Sequence, residues 1–283
     1  MQASAQNSFW PMIDGIVVIN LERRPDRWAQ FQVATRDLLP AGKVHRLAAR
    51  WGRDIPGFGQ RPWFRGGKRD PTWAARAGVT QSHRQALVKA REAGWRTVLI
   101  LEDDVALAPD FAGLANALGP ALREQDWQVC YLGFTDPWPP ARKLVDLDTH
   151  HALYRVHGCN TAHAYLVREN ARDWILGQLP EEAGIWKWLA THRAVDRWYQ
   201  RQLGLRFPVI CLSPSVVNQV AGFSDIVAQP TRDATRDGHV RTVAGLAAGN
   251  VPYYLRHALR RLTVRAGLVG DVLRGWTRRF QGF

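Results

Sequence analysis

The chain has 283 residues, 46% hydrophobic and 22% charged, with a net charge of +13. That composition excludes collagen, low-complexity disorder and disulfide-stapled miniproteins, and a chain of this size buries roughly three quarters of its unfolded surface. No run approaches the roughly 20 consecutive apolar residues of a spanning helix, and the opening MQASAQNSFW lacks the basic-then-apolar order of a signal peptide, so the expected address is the cytoplasm. The charge is uneven. Residues 22–80 hold 13 Lys/Arg against 5 acids and residues 250–283 hold 7 against 1, which leaves a nearly neutral body with two basic patches suited to phosphates.

In chain order, the β-branched run GIVVIN (15–20) predicts a strand, followed by a helix in which Trp28, Phe31, Leu38 and Leu39 recur at helical intervals. KVHRLAAR (43–50) predicts a second strand. Residues 51–73, crowded with Gly, Pro, Trp and Arg, show no period and read as a long mobile loop, with Trp51, Trp63, Trp73, Arg61 and Arg65 placed to close over a ligand. GVTQSHRQALVKAREAGW (78–95) predicts a helix that stops at Gly94.

TVLILEDDV (97–105) is an apolar strand that runs into three acids, and WQVCYLGF (127–134) is another apolar strand after a helix near 109–122. Two short strands around Gly158, helices near 168–178 and 194–204, and the strand FPVICLS (207–213) complete an α/β domain with a mostly parallel sheet buried on both faces. Ligands bind such sheets at the carboxyl ends of strands, so Asn20, residues 102–104 and the segment after Phe134 are expected to meet at one crevice. Cys130, Cys159 and Cys211 sit in apolar runs and are expected to be buried reduced thiols.

The last segment differs. Leu255, Leu259, Leu262, Ala266, Val269, Leu273, Trp276 and Phe280 are spaced alternately by 4 and 3, with seven arginines between them. This basic amphipathic helix suits an anionic membrane surface, and the same stripe also suits packing on the catalytic domain or on a second subunit.

Glu102, Asp103 and Asp104 form the sharpest chemical feature. Adjacent carboxylates repel unless a cation is present, and hard oxygen ligands at a strand end suit Mg²⁺ or Mn²⁺ bridging a diphosphate; the alternative is a solvated acidic turn. Asp196, at a helix start, is either an N-cap or a catalytic base. His83 is either a nucleotide ligand or a satisfied helix histidine. His150, His151, His157 and His163 fit no standard zinc spacing.

GIVVINLERRPDRW, GVTQSHRQAL, TVLILEDDV, GCNTAHAYLVRENA, AVDRWY and SPSVVNQVAGFSDI together resemble the successive blocks of family 25 glycosyltransferases, over about residues 14–226. That group includes lipopolysaccharide-type sugar transferases and procollagen galactosyltransferases. The resemblance implies a GT-A-like nucleotide-diphospho-sugar transferase fold, which gives a catalytic domain over residues 1–230, and 231–283 reads from its own spacing as linker and C-terminal helix. The resemblance also implies inversion at the anomeric carbon and a uridine diphosphate sugar donor, galactose favoured.

A saccharide or lipid-linked acceptor follows from the same resemblance. Carried over residue by residue, Asn20, Arg27, Ser82, His83, Glu102, Thr161 and Gln219 border the donor, with Gly158, Tyr165, Ser224 and Asp225 in the matching blocks. Asp103 and Asp104 hold Mn²⁺ or Mg²⁺, and Asp196 is the base. Two blocks depart from the family: AGVTQSH stands where relatives read Gly-x-x-Gly-Cys before Ser-His, and AARWG lacks the carboxylate of Asp-Ala-x-x-Gly. The rival readings are a basic nucleic-acid-binding protein that stacks bases on Trp51, Trp63 or Trp73, and a metal-dependent phosphoryl-transfer enzyme. No nucleic-acid signature, second-metal cluster or Gly-rich phosphate loop accompanies them.

Overall fold

The fully apolar runs become the central strands of one sheet. A computed structural model describes residues 9–64, 70–135, 137–220, 223–224, 229–230 and 250–281. The first half contains β1 (Gly15–Asn20), α1 (Pro25–Thr35), β2 (Val44–Ala48), α2 (Asp70–Glu92), β3 (Thr97–Glu102), β4 (Val105–Leu107), α3 (Phe111–Glu124) and β5 (Val129–Gly133). After it come β6 (Pro137–Trp138), β7 (Arg142–Asp146), β8 (Ala152–Val156), β9 (Gly158–Cys159) and β10 (Ala164–Arg168). Helices α4 (Glu169–Gln178), α5 (Ile185–His192) and α6 (Val195–Arg206) lead to β11 (Val209–Ser213), β12 (Val217–Gln219), β13 (Phe223–Ser224), β14 (Gln229–Pro230) and α7 (Asn250–Gln281).

Eight strands form the main sheet in the order β2-β1-β3-β10-β5-β11-β8-β7. Only β10 and β8 run against the other six, so the sheet is mostly parallel in strand direction, as expected. Both faces are covered. Val17, Ile100 and Tyr131 point into a core shared with α2, α4, α5 and α6, while Ile16, Leu99 and Leu132 point into one closed by Phe31 and α3. Burial on both sides explains why β1, β3 and β5 read as continuous apolar runs. The three cysteines are buried and form no disulfide.

The mobile loop expected at 51–73 is corrected for its described part. Ile55 and Phe64 are each 1% exposed, Phe64 meets Trp186 edge-on at 4.9 Å, and the Trp186 indole N–H donates to the Pro56 carbonyl at 2.7 Å. Ile55 and Phe64 thus anchor this segment on the core, while residues 59–62 stay exposed. Trp73 is buried in α2, which begins at Asp70 rather than near 78; Arg65 lies outside the described residues. The stop at Gly94 is as read, with φ of +69° in the left-handed region that glycine tolerates.

The C-terminal helix is longer than its apolar stripe suggested, and four of its arginines do not flank that stripe freely. Arg260, Arg261 and Arg278 donate to the backbone carbonyls of Pro139, Leu205 and Ala190, and Arg274 pairs with the buried Asp271. The side chains of Arg256 and Phe280, and residues 231–249, lie outside the described residues. No described helix is long and apolar enough to cross a membrane.

Two glycines let the segment after β2 lie directly on α2. A Cβ on Gly78 would run into the Arg50 carbonyl, and one on Gly52 into the Ala74 backbone. Gly78→Ala should therefore cost a net of roughly 1–2 kcal/mol even after the gain of about 1 kcal/mol in helix propensity. Gly113→Ala, which meets nothing within 4 Å on α3, should instead raise stability. Denaturant midpoints of the two variants check this opposition.

Candidate active site

The site begins where β1 and β3 end side by side, with Ile19 opposite Glu102 in parallel register. The chain turns after Glu102, and Asp103 and Asp104 follow at the carboxyl edge of the sheet. Asn20, only 1% exposed, donates its amide to Asp103 Oδ2 at 2.5 Å and accepts from Arg46 Nε at 2.9 Å on neighbouring β2. Pro25 starts α1, where a missing N–H is no loss, and this places Arg27 in the first turn facing the acids. Its guanidinium lies 3.0 Å from Asp103 Oδ1 and 3.7 Å from Asp104 Oδ2.

Burial raises the Asp103 carboxyl above its usual range, with the Asn20 hydrogen bond and Arg27 opposing. Burial also raises Asp104 to about 7, helped by the charges of Glu102 and Asp103 and opposed by Arg27 and Gln219. Glu102 goes the other way: burial pushes it up, but the His83 hydrogen bond and the charges of His83, His163 and Arg27 outweigh it. One strand end thus carries one carboxyl held below its usual range and two pushed above it.

α2 supplies the next wall. His83 stands between Glu102 Oε1, 3.5 Å from its Nε2, and the Tyr165 hydroxyl, 3.1 Å from its Nδ1; that hydroxyl lies 3.3 Å from the Tyr199 hydroxyl. This buried chain fixes the imidazole. Ser82 lines the site, but its hydroxyl donates to the Gly78 carbonyl at 2.7 Å and accepts the Arg50 N–H at 2.9 Å. It ties the segment after β2 to α2.

Thr161 lies just before antiparallel β10, whose Ala164 pairs with Leu101, so the turn sits beyond the end of β3. Thr161 has φ of +63°, a strained conformation for a β-branched residue, and its hydroxyl donates to the Asn160 carbonyl at 2.6 Å. Gln219 arrives on β12, opposite Val105 of β4, and Val220 N–H donates to the Asp104 carbonyl at 2.7 Å. Asp196 is not the N-cap of α6; Ala194 holds that place, and Asp196 lies in the first turn, accepting the Arg197 N–H at 2.7 Å.

These elements enclose a cleft of about 420 Å³ lined by His83, Glu102, Asp104, Thr161, Asp196 and Gln219. A recess of about 100 Å³ continues past His83 and Asp104 toward Arg27, Asp103, Ser82, Leu21 and Trp51. Every residue expected at the donor, metal and base positions lines one of these two spaces except Asn20, which supports Asp103 from below.

Sequence reasoning missed Arg76, Arg197 and Asn160 on the cleft wall. Arg76 makes no side-chain hydrogen bond or ion pair among the described residues. Burial lowers its pKa, Arg197 adding and Asp196 opposing. An arginine inside a helix carries no local sign that it faces a cleft, but its place one and two turns before Thr80 and His83 was readable once α2 was extended to Asp70. The histidine-rich stretch gathers no metal site: His157 and His163 donate to the Arg201 and Val217 carbonyls, and His151 pairs with Asp148.

Among the described residues, no three His, Cys, Asp or Glu side chains are grouped to hold a metal. Both Asp103 oxygens are occupied by Asn20 and Arg27, so Asp103 is less a ligand than a brace. Asp104 Oδ1, by contrast, is buried without a hydrogen-bond partner among the described residues. Asp104 is thus the residue here with an oxygen that could take up a divalent ion, alone and not as part of a protein cage.

No protein-family model matches the chain, and no curated protein matches it. Among solved structures it is similar to A197 from STIV, with 12% identity, 82% of this chain and 100% of that chain covered, and a TM-score of 0.38. It is similar to a glycosyltransferase involved in the glycosylation of the major capsid of PBCV-1, with 10% identity, coverage of 66% and 71%, and a TM-score of 0.34. It is also similar to mannose-1-phosphate geranyltransferase from Thermus thermophilus, with 11% identity, coverage of 71% and 73%, and a TM-score of 0.34. At these values no residue's role passes from those proteins to this one.

The raised Asp104 pKa gives a signed pH effect. The folded state keeps a proton that the unfolded chain loses near 3.8, so this group's contribution to stability falls as pH rises from about 4 to about 7 and then levels off. Asp104→Asn should remove that slope, raising the melting temperature at pH 8 by several degrees while leaving it nearly unchanged near pH 4. Equal melting shifts at both pH values would contradict the assignment.

Proposed function

We propose that the chain is an inverting glycosyltransferase that moves a sugar from a nucleoside diphosphate donor to a hydroxyl of a saccharide or lipid-linked acceptor. The observation that carries this reading is the convergence on one cleft of the partnerless Asp104 oxygen, the Arg76 guanidinium and the Asp196 carboxylate. Beside them, the recess presents Trp51 with the Arg23 guanidinium 3.4 Å from its ring centroid, a flat surface suited to a nucleobase.

The chemistry divides among the residues. Trp51, Leu21 and Ala49 receive the nucleoside in the recess, and the diphosphate spans from there into the cleft past Asp104. Asp104 would hold Mn²⁺ or Mg²⁺ against the diphosphate, and such an ion neutralises phosphate charge when bound. Arg76 approaches from α2 to take up the negative charge that grows on the departing diphosphate. Asp196 accepts the acceptor's hydroxyl proton; the freed oxygen attacks the anomeric carbon from the opposite face, and the bond from that carbon to the diphosphate oxygen breaks. His83, locked by Glu102 and Tyr165, shapes the wall between the two spaces.

A uridine diphosphate sugar, galactose first, a relation to family 25 and a place in lipopolysaccharide-type glycan synthesis remain part of this proposal on the strength of the sequence blocks. The nucleic-acid reading loses its footing. Within the basic patch at 22–80, Arg24, Arg27, Arg46 and Arg50 are engaged with Asp26, Asp103, Asn20 and Glu182, and Trp73, one of the three tryptophans proposed to stack bases, is 6% exposed.

The test is turnover of a panel of uridine diphosphate sugars with Mn²⁺ and saccharide acceptors. Asp196→Asn should lower kcat by roughly 10²–10⁴-fold with donor affinity nearly unchanged. Full activity in that variant would reduce Asp196 to a helix-terminal carboxylate. Absence of turnover of any nucleotide sugar by the wild-type chain would remove the reading altogether.

A further inference from the structure

Helix α7 is mounted on the body by its polar side and shows its apolar side to solvent. Among the described side chains of α7, Val264, Asp271 and Gly275 are the buried positions. Asp271 pairs with Arg201 of α6 and with Arg274, and Gly275 meets Thr191 of α5 so closely that a Cβ would not fit. On the other side Leu255, Leu259, Leu262, Val269, Leu273 and Trp276 are 53–66% exposed. At 3.6 residues per turn these six fall within an arc of about 100°, roughly opposite Asp271. A helix held only by its own hydrophobicity would dock the other way round.

We propose that this exposed stripe is a docking surface for an anionic lipid bilayer, with α7 lying in the plane of the interface. Leucines and a tryptophan along one side of a helix are what the boundary between headgroups and acyl chains accepts. Charge selects the anionic surface over other occupants. The segment 250–283 holds 7 Lys/Arg against the single Asp271, which is already buried between two arginines. Arg265 and Arg279 remain exposed along one margin of the stripe. A second copy would bring the same excess of positive charge against itself, whereas anionic headgroups neutralise it. The body contacts hold the helix before any surface is met, so docking has little ordering of the helix left to do. The end of α5, against which α7 packs, leads directly into Ala194 and Asp196 of the cleft wall, so the bound surface and the cleft share one support.

Co-sedimentation of the full chain with phosphatidylcholine vesicles, with and without phosphatidylglycerol, tests this independently of any sugar transfer. The wild-type chain should pellet with the anionic vesicles, less so at high salt, and stay in solution with the neutral ones. Replacing Leu259, Leu262, Leu273 and Trp276 by Ser should weaken anionic binding by roughly tenfold or more, as should Arg265→Glu with Arg279→Glu, with melting temperatures unchanged. Equal pelleting of the wild-type and serine variants would overturn the proposal. A wild-type dimer that the serine variant splits, seen by light scattering, would assign the stripe to a second copy instead. A drop in melting temperature in the serine variant would show that the chain itself covers the stripe.

Discussion

Gathering three carboxyls at the end of a buried strand is the constraint on which the rest of the site depends. Nothing in β3 compensates for it, since Val98 to Leu101 are apolar and buried. Compensation comes from elsewhere in sequence and is adjacent in space: Asn20 and Arg46 from the neighbouring strands, and Arg27 from the start of α1. Two of the basic residues in 22–80, Arg27 and Arg46, thereby serve internal electrostatics. Even so the balance is incomplete, because Asp104 keeps one oxygen without a partner and a carboxyl raised to about 7. The site is short of positive charge at this one place.

The neighbourhood of Asp104 is rigid by construction. Glu102, His83, Tyr165 and Tyr199 form a buried polar chain behind it, and Ser82 pins the backbone after β2 to α2, where Gly52 and Gly78 permit contact. Two described non-glycine residues have positive φ, Thr161 at the rim of the cleft and Arg193 just before the Ala194 of its wall. Backbone strain at a cleft edge persists only where the surroundings over-determine it, here by β10 and β9 on either side of the turn.

Much of this was legible in the sequence, for identifiable reasons. β1, β3 and β5 are covered on both faces, and such strands leave unbroken apolar runs. Adjacency of Asn20 and the acids followed from the rule that parallel strands present their carboxyl ends together. What escaped depends on tertiary contacts. Residues 52–64 read as mobile because glycine and proline dominate locally, while the aromatic partner that fixes them, Trp186, lies over 120 residues away. α5 is too short to show a period, and the first two turns of α2 were hidden in the same Gly- and Pro-rich stretch, taking Arg76 with them. The stripe on α7 was visible, but not that arginines rather than leucines would face the body.

In the proposed function, Asp104 and a divalent ion together receive a nucleoside diphosphate. Calorimetric titration of uridine diphosphate into the wild-type chain and into Asp104→Ala, each with Mn²⁺ and with chelator, tests it most directly. Binding to the wild-type chain that strengthens with Mn²⁺, and a variant in which Mn²⁺ makes no difference, is the predicted result. Binding with the same Mn²⁺ dependence in both proteins would show that Asp104 does not hold the ion.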